Sequence, residues 1–161
     1  MRAAVVLAAA VLAACSAAAA ADPAVATFLV EGKPVTLVAG RAEAEAAPGS
    51  ASRVVTTLAA ERAVGDLDGD GRPDTGVTLT QQSGGSGTFS YVAAVLNSSS
   101  GPVGTNAIRV GDRIKITGLR LDGAVIVLEY LDRATGEPFT TAPSVATTKR
   151  FVVRDGKLQP Q

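Results

Sequence analysis

The sequence predicts a mostly β domain, built as a single antiparallel β-sheet, a sandwich or a small barrel. Turn-forming residues are frequent, with 17 Gly and 8 Pro in 161 residues, and they separate short apolar segments. Aromatic residues make up only 4% of the chain and Trp is absent, so Val, Leu, Ile and Ala must supply most of the core. A chain of this length favours one domain.

Between residues 24 and 82, the strand signals are short and separated by turns. Residues 24–30 and 35–38 are expected to pair as a hairpin, and residues 42–46 are expected to form an exposed strand or a loop. Residues 53–64 favour a strand, with a short helix over 58–62 as the alternative. Residues 76–82 alternate apolar and polar side chains, which indicates a strand.

Among residues 24–161, the most apolar segment is residues 88–97, and both of its faces are largely apolar. This pattern predicts a strand in the centre of a sheet. The Gly-rich residues 84–87 before it and the Ser-rich residues 98–101 after it indicate loops.

Two Asp-Gly pairs predict hairpins in the last third of the chain. Asp122-Gly123 separates residues 113–121 from residues 124–131, and Asp-Gly suits both central positions of a type I′ turn. Gly118 is expected to form a β-bulge, because the apolar side chains on its two sides have opposite parity.

The second pair, Asp155-Gly156, separates residues 149–154 from residues 157–159 and predicts another hairpin of the same kind. Residues 135–145 are rich in Pro and Thr and are expected to be a loop.

The N-terminus has the pattern of an export signal. It begins Met1-Arg2 and continues as an apolar run over residues 3–14, which is too short to span a bilayer. The run ends in Leu12-Ala13-Ala14-Cys15 and resembles the bacterial lipobox, in which the Cys accepts a diacylglycerol. An ordinary secretory signal, cut after Ala21, is the alternative.

The lipobox resemblance implies a division of the chain into three parts. Residues 1–14 would be a lipoprotein signal peptide, residues 15–23 the lipidated Cys15 with a flexible tether, and residues 24–161 the single β-rich domain. Ser16, and not Asp, follows the Cys, which by resemblance favours the outer membrane. The expected location is therefore the cell envelope, lipid-anchored and facing the periplasm or the surface.

Composition excludes several classes of function. The chain has 15 basic and 15 acidic residues and no His. The lack of a basic run argues against nucleic acid as a partner, and the lack of His removes the commonest general base and the commonest zinc ligand. An envelope protein or a polysaccharide remains a possible partner that the sequence does not name.

The acidic loop, residues 66–74, is the most informative segment. Its carboxylates occupy positions one, three, five and nine, as Asp66, Asp68, Asp70 and Asp74, with Gly at position six. Ca²⁺ takes six to eight oxygen ligands at about 2.3–2.6 Å, and the backbone carbonyl of Arg72 can add one. The expected cofactor is therefore a structural calcium ion, and a solvated acidic turn without an ion is the alternative.

The loop departs from the EF-hand pattern, because Val77 occupies position twelve, where that pattern requires Glu. It resembles instead the Asp-x-Asp-Gly-Asp-Gly calcium loops of FG-GAP and VCBS-type repeats and of dockerins. That resemblance covers about ten residues and implies the calcium chemistry, not the fold of those proteins.

A wider set of short segments resembles a family of uncharacterised bacterial envelope lipoprotein domains. The segments are residues 35–41, 47–52, the acidic loop, 84–89, 104–106, 111–114 and 130–133. The resemblance implies a cell-envelope lipoprotein and assigns no reaction.

Three functions are consistent with these residues. The first is a membrane-anchored binding or structural module that calcium stabilises, and we expect this one. The second is an inhibitor of an envelope hydrolase that inserts residues 86–91 into a cleft. The third is a periplasmic enzyme that uses paired carboxylates such as Glu129 and Asp132; we expect no enzyme, because salt bridges with Arg133 explain such charges more simply.

Overall fold

A computed structural model describes residues 19–161 and has the mostly β architecture that the sequence predicts. The predicted signal peptide and Cys15 lie outside the described residues. A short 3₁₀ helix, Pro23–Val25, precedes the strands. The strands are β1 Thr27–Val30, β2 Lys33–Thr36, β3 Arg41–Glu45, β4 Arg53–Gly65, β5 Asp74–Gln82, β6 Thr88–Ser98, β7 Gly101–Gly104, β8 Asn106–Asp112, β9 Lys115–Asp122, β10 Val125–Asp132, β11 Val145–Arg154 and β12 Lys157–Pro160.

The strands form two sheets. The larger has eight strands in the order β2-β1-β8-β6-β5-β4-β3, with β7 also paired to β6, and the smaller has the order β12-β11-β10-β9. Within residues 19–161, every strand pair is antiparallel except β1 and β8, which run parallel. The larger sheet is therefore mixed at this one pair, and all its other strand pairs within residues 19–161 are antiparallel, as expected.

The two faces of β6 serve two different cores. Tyr91, Ala93 and Val95 face the interior of the curled larger sheet, where they meet Phe28 and Leu79. The alternate residues of β6, at positions 92, 94 and 96, face the smaller sheet. All six are buried, so the prediction of a central strand with two apolar faces is confirmed.

The larger sheet curls until its two edge strands almost meet. β2 and β3 are joined by a two-residue turn, Ala39-Gly40, with φ of 51° and 80°. Val38 and Arg41 form a single bridge beside this turn, and the strands then separate. The result is a nearly closed barrel with a narrow opening, the β2–β3 seam, along one side.

Strand β4 confirms the strand prediction over the helical alternative. Its pairing with β5 shifts between Leu58 and Arg62, so residues 59–61, which have helical propensity, form a bulge opposite Thr78. Strands β7 and β8 were not predicted; β7 contains two Gly and one Pro, residue types that are typical of turns. Thr105 joins the two strands, and it exchanges hydrogen bonds with the backbone of Ala94 on β6.

The predicted hairpins form, with one correction. Asp155 and Gly156 both have positive φ, 51° and 70°, as a type I′ turn requires. At the other hairpin, Asp122 pairs with Val125, so the loop lies one residue later than predicted. Gly123 has a φ of 61° there, and Asp122 has no positive φ, which excludes the predicted type I′ geometry at Asp122-Gly123.

The predicted bulge at Gly118 is confirmed. Gly118 pairs with Glu129, whereas Tyr130 pairs with Ile116, so Thr117 is the extra residue on β9.

The last three residues of the predicted tether, 21–23, contact the β domain. Ala21 is 8% exposed and Pro23 is buried, and Asp22 caps the 3₁₀ helix by accepting a hydrogen bond from the N–H of Ala24. The chain therefore packs on the domain from Ala21 onward, and the carbonyl of the exposed Ala19 accepts a hydrogen bond from Asn97. No helix within residues 19–161 has the length and apolar character needed to cross a membrane.

Candidate metal site

The acidic loop connects the end of β4 to the start of β5. Gly69 and Gly71 have φ of 84° and 81°, a conformation that glycine adopts without strain. The carboxylate of Asp66 accepts hydrogen bonds from both of their N–H groups, at 2.7 and 2.9 Å. The loop is thus coiled around the side chain of its first residue.

Three of the four predicted carboxylates converge. Asp66, Asp68 and Asp74 each offer an oxygen, and the three oxygens lie within 4.8 Å of one another. We call these residues the carboxylate trio. Asp66 and Asp68 are exposed, whereas Asp74 is completely buried. The trio therefore has one fixed, interior ligand and two ligands on the solvent side.

The carboxylate of Asp74 is held in the interior by two backbone N–H groups. One carboxylate oxygen accepts from the N–H of Leu67 and the other from the N–H of Asn97, both at 2.8 Å. A carboxylate has about four lone-pair sites, so each oxygen keeps one free for a cation.

Burial is the main cause that raises the pKa of Asp74, and the negative charges of Asp68 and Asp70 raise it further. The two backbone N–H donors oppose the shift and do not cancel it. A cation bound to the trio would remove this unfavourable energy, because it favours the charged form of the carboxyl group.

Asp70 is not brought into the trio, although its position in the loop predicts a ligand. Its carboxylate accepts from the backbone N–H of Arg72 at 2.8 Å and also binds the guanidinium of that residue. An internal ion pair thus satisfies Asp70. Arg72 also donates through Nε to the carbonyl of Asn97, and its predicted role as a carbonyl ligand stays a prediction.

Asn97 is the residue of this site that the sequence did not predict. It lies near the end of β6, and its backbone N–H and carbonyl bind Asp74 and Arg72. Its side-chain amide donates to the carbonyl of Ala19 at 2.9 Å. The residue therefore connects the acidic loop to the N-terminal segment. A polar residue after a long apolar strand was the available signal.

The residues named for the inhibitor and enzyme alternatives are either buried or bound to neighbouring protein groups. Tyr91, in the segment predicted to enter a hydrolase cleft, is 1% exposed within β6, so only the loop before Thr88 is free to insert. Glu129 lies 3.4 Å from Arg120, and Asp132 accepts from the N–H of Arg133.

A cavity lies in the β2–β3 seam. It has a volume of about 370 Å³ and lies beside Glu31 and Gln81. Both side chains bind the hydroxyl of Tyr91, at 2.8 and 3.4 Å, and Gln81 donates to Thr56. Burial is the main cause that raises the pKa of Tyr91, and its hydrogen bond to Glu31 adds to this, so the phenol stays neutral and anchors the network.

Comparison with known proteins finds no relative of this chain. The chain matches no protein-family model, and neither a curated protein nor a solved structure is similar to it. The resemblances to envelope lipoprotein domains and to calcium loops therefore stay predictions that rest on the residues quoted above.

Proposed function

We propose that the chain is a membrane-anchored cell-envelope lipoprotein whose β domain is stabilised by calcium and acts as a binding or structural module. The observation that carries the calcium part is the convergence of three carboxylate oxygens within 4.8 Å at Asp66, Asp68 and Asp74. The anchor part rests on the lipobox-like sequence that ends at Cys15.

The trio suits calcium for three physical reasons. Its donors are oxygens, which a hard cation prefers. Its negative charges repel one another unless a cation lies between them. Asp68 is exposed and can adjust its position, which suits the flexible coordination of Ca²⁺. The ion would fix the crossing from β4 to β5, and weak affinity of about 10⁻⁴–10⁻³ M is typical of extracellular modules.

The first experiment is a calcium titration of the soluble domain, residues 19–161, followed by binding heat and by melting temperature. The domain starts at Ala19, because the segment from Ala19 contacts Asn97. Calcium should raise the melting temperature of the parent. Asp68→Asn should abolish most of this rise, because it removes a charge from the trio. Asp70→Asn is the matched control and should weaken binding less, because Asp70 is paired with Arg72.

No heat and no change in melting temperature up to about 10 mM calcium, ten times the weak end of known modules, would contradict the calcium part. Equal loss of binding in the two variants would show that Asp70 leaves Arg72 and joins the ion.

The anchor part has its own test. The full chain, expressed in a bacterium, should sediment with membranes and carry an N-terminal peptide whose mass includes acyl chains on Cys15. Cys15→Ala should leave the protein in the soluble fraction, because stable attachment needs the acyl chains. An unmodified chain cut after Ala21 would contradict lipidation and support ordinary secretion.

A further inference from the structure

The N-terminal segment is attached at one particular end of the domain. The carbonyl of Ala19 accepts from the side chain of Asn97 at 2.9 Å, and the carbonyl of Ala21 accepts from Thr75 at 3.2 Å. Ala21 belongs to the buried core of the larger sheet. The backbone N–H of Asn97 in turn binds Asp74. Asn97 therefore connects Ala19 to Asp74 of the carboxylate trio through two hydrogen bonds.

This attachment limits how far the acidic loop can be from a lipid anchor on Cys15. Four residue steps separate Cys15 from Ala19, and an extended chain covers at most about 14 Å in that length. The opposite end of the domain is much farther away. The nine residues of β5 extend about 26 Å from Asp74 to Gln82, and the Gly-rich loop 83–87 follows there.

We propose that the domain stands on the membrane with its acidic-loop end toward the lipid headgroups and with loop 83–87 pointing away. The inference rests on the proposed lipidation of Cys15. The surface that faces the bilayer consists of the acidic loop and the Ser99-Ser100 turn between β6 and β7, which the pairing of Ser98 with Gly101 places beside Asn97. The partner of this surface is the phospholipid bilayer that holds the anchor.

The orientation has a chemical consequence for the trio. Anionic lipids give a membrane surface a negative potential, which would repel the exposed carboxylates of Asp66 and Asp68. A calcium ion between these carboxylates and the lipid phosphates would replace repulsion with attraction, because Ca²⁺ accepts oxygen ligands from both.

Two matched variants test the orientation. Ser99→Cys and Ser86→Cys each place a thiol in an exposed turn, one at each end of the domain. The natural sequence has a single Cys, and lipidation converts it to an unreactive thioether, so a fluorophore labels only the new thiol. The full lipidated chain is purified from membranes in detergent. It is then reconstituted into vesicles of phosphatidylethanolamine and phosphatidylglycerol that contain a headgroup nitroxide lipid as quencher.

The proposal predicts loss of fluorescence for the label at Ser99 and little loss for the label at Ser86. Equal loss at the two positions, or greater loss at Ser86, would overturn it. Sedimentation of the same vesicles reports attachment separately. A lipidated chain that fails to sediment contradicts the proposed anchor, whereas a chain that sediments with equal quenching contradicts only the orientation.

A further variant tests whether the docked segment sets the orientation. Asn97→Ala with Thr75→Val removes both side-chain donors to the N-terminal segment and keeps the backbone N–H of Asn97 that binds Asp74. The quenching difference between Ser99 and Ser86 should become smaller in this background. A difference that stays unchanged would overturn the role of the docking contacts.

Discussion

The two ends of β6 are held by the same kind of bond in opposite electrostatic surroundings. At the start of the strand, the N–H of Thr88 donates to the carboxylate of Asp112 at 2.9 Å. At the other end, the N–H of Asn97 donates to the carboxylate of Asp74 at 2.8 Å. In both cases an aspartate from another strand ties the end of the central strand in place.

The charges beside the two carboxylates differ in sign. Burial pushes the pKa of Asp112 upward, but the N–H of Thr88 and the charge of Arg113 outweigh it, so the pKa is lowered. Burial raises the pKa of Asp74, and its acidic neighbours, Asp68 and Asp70, raise it further. The first end is neutralised within the protein. The second end carries excess negative charge that an external cation can neutralise, which is the physical basis of the calcium proposal.

The largest effect is expected from removing the two carboxylates. Asp74→Ala leaves the N–H groups of Leu67 and Asn97 without their acceptor, and each buried unsatisfied group costs about 1–3 kcal/mol. Asp112→Ala removes the acceptor of one part-buried N–H and breaks one part-buried ion pair with Arg113. Chemical denaturation of the calcium-free soluble domain should show the larger loss of unfolding free energy for Asp74→Ala. A larger loss for Asp112→Ala would contradict the described burial.

The second largest effect is expected from calcium, which should stabilise a variant at one end of β6 and not a variant at the other end. At a concentration ten times the dissociation constant, a ligand that binds only the folded state adds about 1.4 kcal/mol to the free energy of unfolding. Asp112→Asn should keep this gain, because it lies at the opposite end of β6. Asp74→Asn should lose it, because the amide lacks the charge. Thermal melting with calcium and with chelator measures both, and an equal gain in the two variants would exclude Asp74 as a ligand.

The smallest effect is a pH dependence of opposite sign at the two ends. The lowered pKa of Asp112 means that its ionised form stabilises the fold above pH 3.8 and that this contribution is lost as pH falls through the folded pKa. The stability difference between the parent and Asp112→Asn should therefore shrink in acid. Asp74 has a raised pKa, so in chelator its ionised form destabilises the fold; this penalty shrinks as pH falls below the folded pKa and is gone below the ordinary pKa of 3.8.

Relative to Asp74→Asn, the parent should thus gain stability on acidification. Urea denaturation at several pH values between 7 and about 3, below the ordinary carboxyl pKa, measures both differences. If the stability difference from the parent changed with pH in the same direction for Asp112→Asn and Asp74→Asn, the contrast between the two ends of β6 would be contradicted.

Local patterns in the sequence predicted much of the fold. Alternation over residues 76–82 and the continuous apolar run over 88–97 correspond to β5 and β6. The Asp155-Gly156 turn follows directly from the positive φ that such a pair tolerates. These features depend on neighbouring residues, so a local pattern contains the information.

The remaining features depend on contacts between distant segments. The parallel pairing of β1 with β8 joins Leu29 to Asn106, and no local pattern encodes such a partner. β7 and β8 contain Gly and Pro residues that suggest turns, and pairing with β6 makes them strands.

The same limit applies to the candidate site. The spacing of the acidic loop predicted which residues carry carboxylates, but not which of them converge. Asp74 is buried because β6 supplies Asn97, 23 residues away. Asp70 is diverted because Arg72 offers it two donors. Burial and local ion pairing thus divide four similar carboxylates into a trio and a paired residue.

The most direct test of the account is a crystal structure of the soluble domain grown in calcium, with an anomalous difference map to locate the ion. The account predicts one anomalous peak at about 2.3–2.6 Å, the usual calcium–oxygen distance, from carboxylate oxygens of Asp66, Asp68 and Asp74. A loop with the same arrangement and no peak among these three residues, at calcium concentrations that saturate weak extracellular modules, would contradict it.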